Sequence, residues 1–199
     1  MILNYIWKLI WWIKTQTIYR LLYIRHINLH SYLGPVLFIF GGRGISISSK
    51  VRIFPGCRME CHDNGTILIE NDVSIGQNFH ITSGGGLCLK IGAHTTISGN
   101  TFITNIDHDY KRIGQHIMKQ AHICNETIIG ENCFIGYGVA IQAGTKLGKQ
   151  CVVGANSVVR GDFPDYSVIV GAPARIVKRY DANQNRWRKS DSQGNFLSK

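Results

Sequence analysis

Aliphatic residues recur at a strict six-residue step through the second half of the chain: Ile129, Ile135, Ile141, Leu147, Val153 and Val159. Glycine follows at 130, 136, 148 and 154, and a small or medium residue stands four places on, at Cys133, Val139, Thr145, Cys151 and Ser157. A fixed period of this kind marks a repeat architecture, and a six-residue period marks a parallel β-helix. Each repeat supplies one short strand and one tight turn. The aliphatic side chain points inward and successive turns stack their strands into parallel sheets. An ordinary sandwich would need period-two alternation over longer runs than six residues allow.

The step extends upstream in shifted frames. Ile69, Ile75 and Ile81 share one register, and Ile91, Ile97 and Ile103 another, offset at the glycine run Ser83, Gly84, Gly85, Gly86. Ile45, Val51 and Cys57 continue the first register, with Asp63 breaking it at a turn. Three repeats make one triangular coil, so about seven coils are expected between residues 45 and 170. The chain divides into an amphipathic, basic, Trp-rich segment over residues 1–44, a β-helix over 45–174 with an extended loop at 107–122, and a basic helix with a polar tail over 175–199.

Charge is distributed unevenly. The net charge is +10, and no acidic residue precedes Glu60, whereas Lys8, Lys14, Arg20, Arg25, Arg43, Lys50, Arg52 and Arg58 do. Such asymmetry points to an anionic partner, lipid head groups or nucleic acid. The opening MILNYIWKLIWWIKT favours lipid: Ile2, Leu3, Ile6, Leu9, Ile10 and Ile13 share one side of a helix, with Asn4, Lys8 and Thr15 opposite. Trp7, Trp11 and Trp12 suit a head-group layer. Lys8 and Lys14 interrupt the run too often for a spanning segment of about twenty apolar residues. The charges inside the stretch and the lack of a small-residue cleavage site argue against a secretory signal. The expectation is peripheral contact at the cytoplasmic face of a membrane and no nucleic-acid partner; the alternative is a helix packed on the β-helix or a neighbouring subunit. The cysteines read as core residues of a reducing compartment, because Cys57, Cys61 and His62 match no zinc spacing.

Regular coils are scaffold, so chemistry is sought where they break. The largest break is DHDYKRIGQHIMKQAH, residues 107–122. A loop projecting from a rigid scaffold is a natural place for ligand contacts. At its root, His108 stands between Asp107 and Asp109, next to Tyr110. An imidazole can take a proton from a hydroxyl near neutral pH, with carboxylates orienting its ring. A surface histidine among polar neighbours is the alternative.

The segment from about Val73 to Lys178 resembles the hexapeptide-repeat acyltransferases, particularly the sugar O-acetyltransferases of the maltose and galactoside type. In look it stands closer to relatives that acetylate lipopolysaccharide, O-antigen or capsular saccharides. The residues carrying the resemblance are Ile129 to Gly136 (IGENCFIG), Val153 to Val159 (VGANSVV) and the terminating Gly171 to Lys178 (GAPARIVK). The resemblance implies a left-handed β-helix, a homotrimer, and acetyl-CoA as co-substrate in the groove between neighbours, with no metal required. It implies His108 as general base, deprotonating a sugar hydroxyl that attacks the thioester without a covalent enzyme intermediate. His80, Asp107, Asp109 and Tyr110 would meet the acceptor. Tyr137, Ala155, Arg160, Arg175 and Lys178 would meet the cofactor, the last two at its phosphates. Departures shift the acceptor: His80 stands where the family often has Asn, Tyr137 replaces a small residue, and Phe134 replaces a frequent Trp. The helices with which the maltose type binds sugar have no match. A larger or lipid-linked saccharide acceptor is therefore expected. The rivals are an N-acetyltransferase or antibiotic acetyltransferase on the same fold, a zinc lyase of the carbonic anhydrase type using His80, His116 and His122, and a non-catalytic scaffold.

Overall fold

The six-residue ladder winds into a three-sided parallel β-helix. A computed structural model describes residues 2–197, with the side chains of residues 2–4 left aside. Two sheets each carry seven parallel strands and the third carries six. Their inward residues form three columns. Ile47, Ile69, Ile91, Ile129 and Leu147 stack in the first. Ile53, Ile75, Ile97, Ile135 and Val153 stack in the second. Met59, Ile81, Ile103, Ile141 and Val159 stack in the third. All are buried. Full burial of one such side chain is worth about 1.5–3 kcal/mol, so the column itself, with no separate hydrophobic face, holds the coils together.

The small residues between ladder positions also point inward: Cys133, Val139, Thr145, Cys151 and Ser157 are all buried. Thr145 Oγ1 donates to the Gln142 carbonyl at 2.7 Å, and Ser157 Oγ to that of Gly154 at 2.7 Å, so the buried hydroxyls close the corners. The cysteines are free. Burial pushes the Cys57 thiol up to about 12 and the Cys61 thiol to about 11, which keeps both protonated and inert.

Three expectations require correction. The first coil begins at His26, not at 45: His26–Ile27, Tyr32–Leu33 and Val36–Phe40 pair in parallel with strands of the next coil, inside the segment assigned to 1–44. Of its ladder residues Ile27, Leu33 and Ile39, glycine follows Leu33 alone, and Val36–Phe40 reads VLFIF without alternation, so its period is hidden. Fewer than seven coils consequently lie between 45 and 170. Second, the ladder of the second coil is Ile47, Ile53 and Met59, not Ile45, Val51 and Cys57. Both sets are buried, because each repeat turns two residues inward, and apolar character alone does not say which is which.

The third correction concerns the end of the chain. Among the described residues no helix forms over 175–197. Ala174–Asp181 pairs antiparallel with Ser167–Gly171, and Arg186–Lys189 pairs with Ala174–Asp181, extending the second sheet. Gly171, at φ 103°, opens the turn. Arg188 binds the buried Asp181 at 2.8 Å, and Tyr180 packs edge-on against Trp187, so the polar tail is an ordered hairpin through residue 197.

At the other end, an α-helix at Ile2–Lys14 runs on as a π-helix, Thr15–Tyr23, and lies on the first coil. The side chains of Ile2, Leu3 and Asn4, part of the amphipathic reading, lie outside the described residues. Among those described, no helix is long and apolar enough to cross a membrane.

Candidate active site

The extended loop leaves the third sheet after Phe102–Thr104 and returns to the first at Ile128–Ile129. Its base is a two-stranded stalk: Ile106–His108 pairs antiparallel with His122–Cys124, placing His108 opposite His122. Asn105, fully buried, pins the stalk to the corner beneath. Its Oδ1 accepts from the Gly84 N–H at 2.8 Å, and its Nδ2 donates to Ser83 Oγ at 3.2 Å and to the Gly84 carbonyl at 3.3 Å. The glycine run there has a steric cause. A Cβ on Gly84 would lie 2.7 Å from the Ile106 side chain, and one on Gly85, at φ +67°, would lie 2.6 Å from Cys124.

The stalk fixes His108. Its backbone N–H donates to Asp107 Oδ1 at 2.9 Å, while Arg160, two coils further on, holds Asp107 Oδ2 at 3.2 Å. The His108 ring meets His122 edge to face at 4.8 Å, and His122 Nδ1 lies 3.7 Å from the Asp63 carboxylate. His108 is half-buried, with Nδ1 buried and without a hydrogen-bond partner. Nε2 is therefore the nitrogen available to a substrate, and the group can act as a base from a defined position.

The expected residues separate into four places. Asp107, His108 and Arg160 come together at the stalk, though Arg160 is engaged with Asp107. Asp109 accepts the Lys111 N–H at 3.0 Å, and Tyr110 is exposed on the arm. Tyr137 and Ala155 share a corner of successive coils, where the Tyr137 hydroxyl meets the Asn100 side chain and a Cβ on Gly136 would lie 2.6 Å from the Ala155 nitrogen. Arg175 and Lys178 are exposed on the C-terminal hairpin, Arg175 bonding the Ala174 carbonyl at 2.8 Å.

His80 belongs to a cluster of its own, on the outer face of the third sheet. The nearly buried Glu60 accepts from Arg58 and lies 3.0 Å from His62 Nε2 and 3.3 Å from His80 Nε2. Burial alone would raise the Glu60 carboxyl, but hydrogen bonds from Arg58 and His62 outweigh it and hold it below its ordinary value. Burial, then the Arg58 guanidinium, push the His80 imidazole down, against the pull of Glu60. Sequence reasoning did not find Glu60, nor Asp63 beside His122; both neighbours are set by coil stacking and carry no local signature. The three histidines of the zinc alternative do not converge: His80 faces Glu60, His122 faces His108, and His116 accepts the Met118 N–H at 3.1 Å. Among the described residues no group of three or more His, Cys, Asp or Glu could hold a metal.

A parallel β-helix with a histidine-bearing arm is the architecture against which the chain's relatives can be compared. A family model described as the hexapeptide repeat of succinyl-transferase matches residues 126–160. The chain is 32% identical over 143 residues to WbbJ of Escherichia coli, named as a lipopolysaccharide biosynthesis O-acetyl transferase, covering 68% of this chain and 71% of that one. It is 30% identical over 186 residues to acetyltransferase Rv3034c of Mycobacterium tuberculosis, covering 88% of this chain and 59% of that one. Among solved structures, a mutant of AntD, an N-acyltransferase from Bacillus cereus in complex with dTDP-4-amino-4,6-dideoxyglucose and coenzyme A, shares the fold with a TM-score of 0.70. That match is 18% identical and covers 81% of this chain and 87% of that one. The chain belongs to the hexapeptide-repeat acetyltransferase family and is an acyltransferase.

Proposed function

We propose that this chain transfers an acetyl group from acetyl-CoA to a hydroxyl of a bacterial surface saccharide, an O-antigen, capsule or exopolysaccharide precursor. The observation carrying this reading is His108, set on a rigid stalk with one ring nitrogen buried and the other free. Its Nε2 takes the hydroxyl proton as that oxygen attacks the thioester carbonyl. The tetrahedral adduct then collapses, the C–S bond breaks, and the imidazolium returns the proton to the departing thiolate. The products are an O-acetyl ester and free coenzyme A, and no bond to the enzyme forms. WbbJ, by its name a lipopolysaccharide O-acetyl transferase, supports the acceptor class, and AntD, solved with coenzyme A, supports the donor.

The working unit on this reading is a homotrimer, with the donor in the groove between neighbours. Arg175 and Lys178 fit the donor's phosphates by charge, and the Tyr137–Ala155 corner fits its pantetheine arm. Asp109, Tyr110 and the His80 face would meet the saccharide.

The test is acetyl-CoA turnover against lipid-linked and free saccharide precursors, with the product identified by mass. An alkali-labile O-acetyl ester supports the reading. An amide on an amino sugar would move the chain to the N-acetyl alternative, and absence of turnover with any acceptor would favour a scaffold.

A further inference from the structure

The N-terminal helical segment is apolar on two sides, and the β-helix covers only one. Toward the first coil, Trp11 packs 6.2 Å from Tyr32 and 6.1 Å from Phe54. Thr15, fully buried, accepts the Leu33 N–H at 2.8 Å, and the Tyr19 hydroxyl accepts that of Val36 at 3.2 Å. Trp12 Nε1 donates to the Leu29 carbonyl at 2.7 Å, which fastens the helix from its flank. The opposite side carries Ile6, Leu9, Ile10 and Ile13 in the open, and continues to Leu21 and Leu22, which are 77% and 74% exposed. A helix that is apolar on two sides needs cover on both.

Charge says what the cover is. Arg20, Arg25 and Arg43 converge beside Leu21 and Leu22 around an open cavity of about 360 Å³. A second cavity of about 510 Å³ is lined by Arg20, Arg25 and His26 with serine and asparagine side chains, and by no carboxylate. No acidic residue occurs before Glu60. A two-fold contact with a second copy would set these cations against one another. Exposed Leu and Ile give nothing to nucleic acid, which is held by stacking and phosphate contacts. Exposed aliphatics flanked by arginines are the combination that a bilayer with anionic head groups accepts, chains below and phosphates above.

We propose that this end of the β-helix docks on an anionic membrane surface, the outer face of the helix entering the head-group boundary and Arg20, Arg25 and Arg43 taking lipid phosphates. Docking places the coil axis against the bilayer without a spanning segment. It does not depend on the chemistry assigned to His108.

The experiment is co-sedimentation of the full chain with vesicles of phosphatidylcholine, alone or with about one-third phosphatidylglycerol. Binding to the anionic vesicles should be at least about tenfold tighter and should weaken with salt. The double variant Leu21→Glu, Leu22→Glu should lose that binding while keeping its thermal midpoint, because both sites are exposed. The triple variant Arg20→Ala, Arg25→Ala, Arg43→Ala should lose the preference for anionic lipid. Equal partitioning to both vesicles, or none to either, would overturn the proposal. So would glutamate substitutions that leave binding intact but change the oligomeric state, since the face would then be a contact between copies.

Discussion

His108 and His122 face each other across the stalk of the arm, their ring centroids 4.8 Å apart and their planes at 79°. Edge-to-face contact is directional, and such pairs are worth about 0.5–1.5 kcal/mol beyond their buried area. If His108 is the base, this contact gives His122 the part of orienting its ring. His122→Ala should lower kcat by about tenfold, an increment of about 1.4 kcal/mol, with the KM for acetyl-CoA unchanged. His122→Phe keeps the edge and should restore most of the rate. Equal kcat in His122→Ala and wild type would remove this role.

Gly85 is the steric gate of the same stalk. A methyl group there meets Cys124, and φ +67° is unfavourable for a residue with a Cβ. Gly85→Ala should cost about 1–3 kcal/mol of stability in a denaturant titration. Because the displaced strand carries His122, kcat should fall as well. Unchanged stability would mean that the corner yields freely.

The Glu60 cluster contributes to acid sensitivity. Glu60 and His80 are both depressed, so the folded chain binds their protons less readily than the unfolded chain. Their contribution to stability is complete above the ordinary values, about 6.5 for His and about 4.3 for Glu, and is lost as pH falls from there through the depressed values. The thermal midpoint should decline from pH 7 to 5 as His80 is forced to protonate, and further below pH 5 as Glu60 does. In His80→Phe the upper part of the decline should flatten; an unaltered slope there would assign it elsewhere.

Arg175 and Lys178 are exposed and lie on a hairpin that closes the coil end. Each charge-assisted phosphate contact is worth about 1.5–3 kcal/mol. The double alanine variant should raise the KM for acetyl-CoA by at least about tenfold, with the thermal midpoint unchanged. An unchanged KM would make them plain surface charges.

The coils were legible where a glycine follows the ladder residue at successive steps, as at Ile129 and Ile135, because that pair reports both the inward position and the corner. They were illegible at His26–Phe40, where aromatic and aliphatic residues fill outward positions as well. The C-terminal hairpin was misread because Lys and Arg at 175–179 suit a helix as readily as an exposed strand; the antiparallel partner, Ser167–Gly171, decided it. At the site, the break in period pointed to His108, and Asp107 lies beside it in sequence. His122 comes from the returning strand of the same stalk, and the Asp63 and Glu60 neighbours come from other coils, so spacing along one chain carries no trace of the contacts.

The most direct measurement is the turnover of His108→Ala at saturating acetyl-CoA and acceptor, with acetyl-CoA affinity measured on the same protein by calorimetry. Loss of a positioned base should cut kcat by about a hundredfold to ten-thousandfold and leave that affinity unchanged. Turnover equal to the wild type would contradict the assignment of His108 and pass the role of base to another group, His80 first.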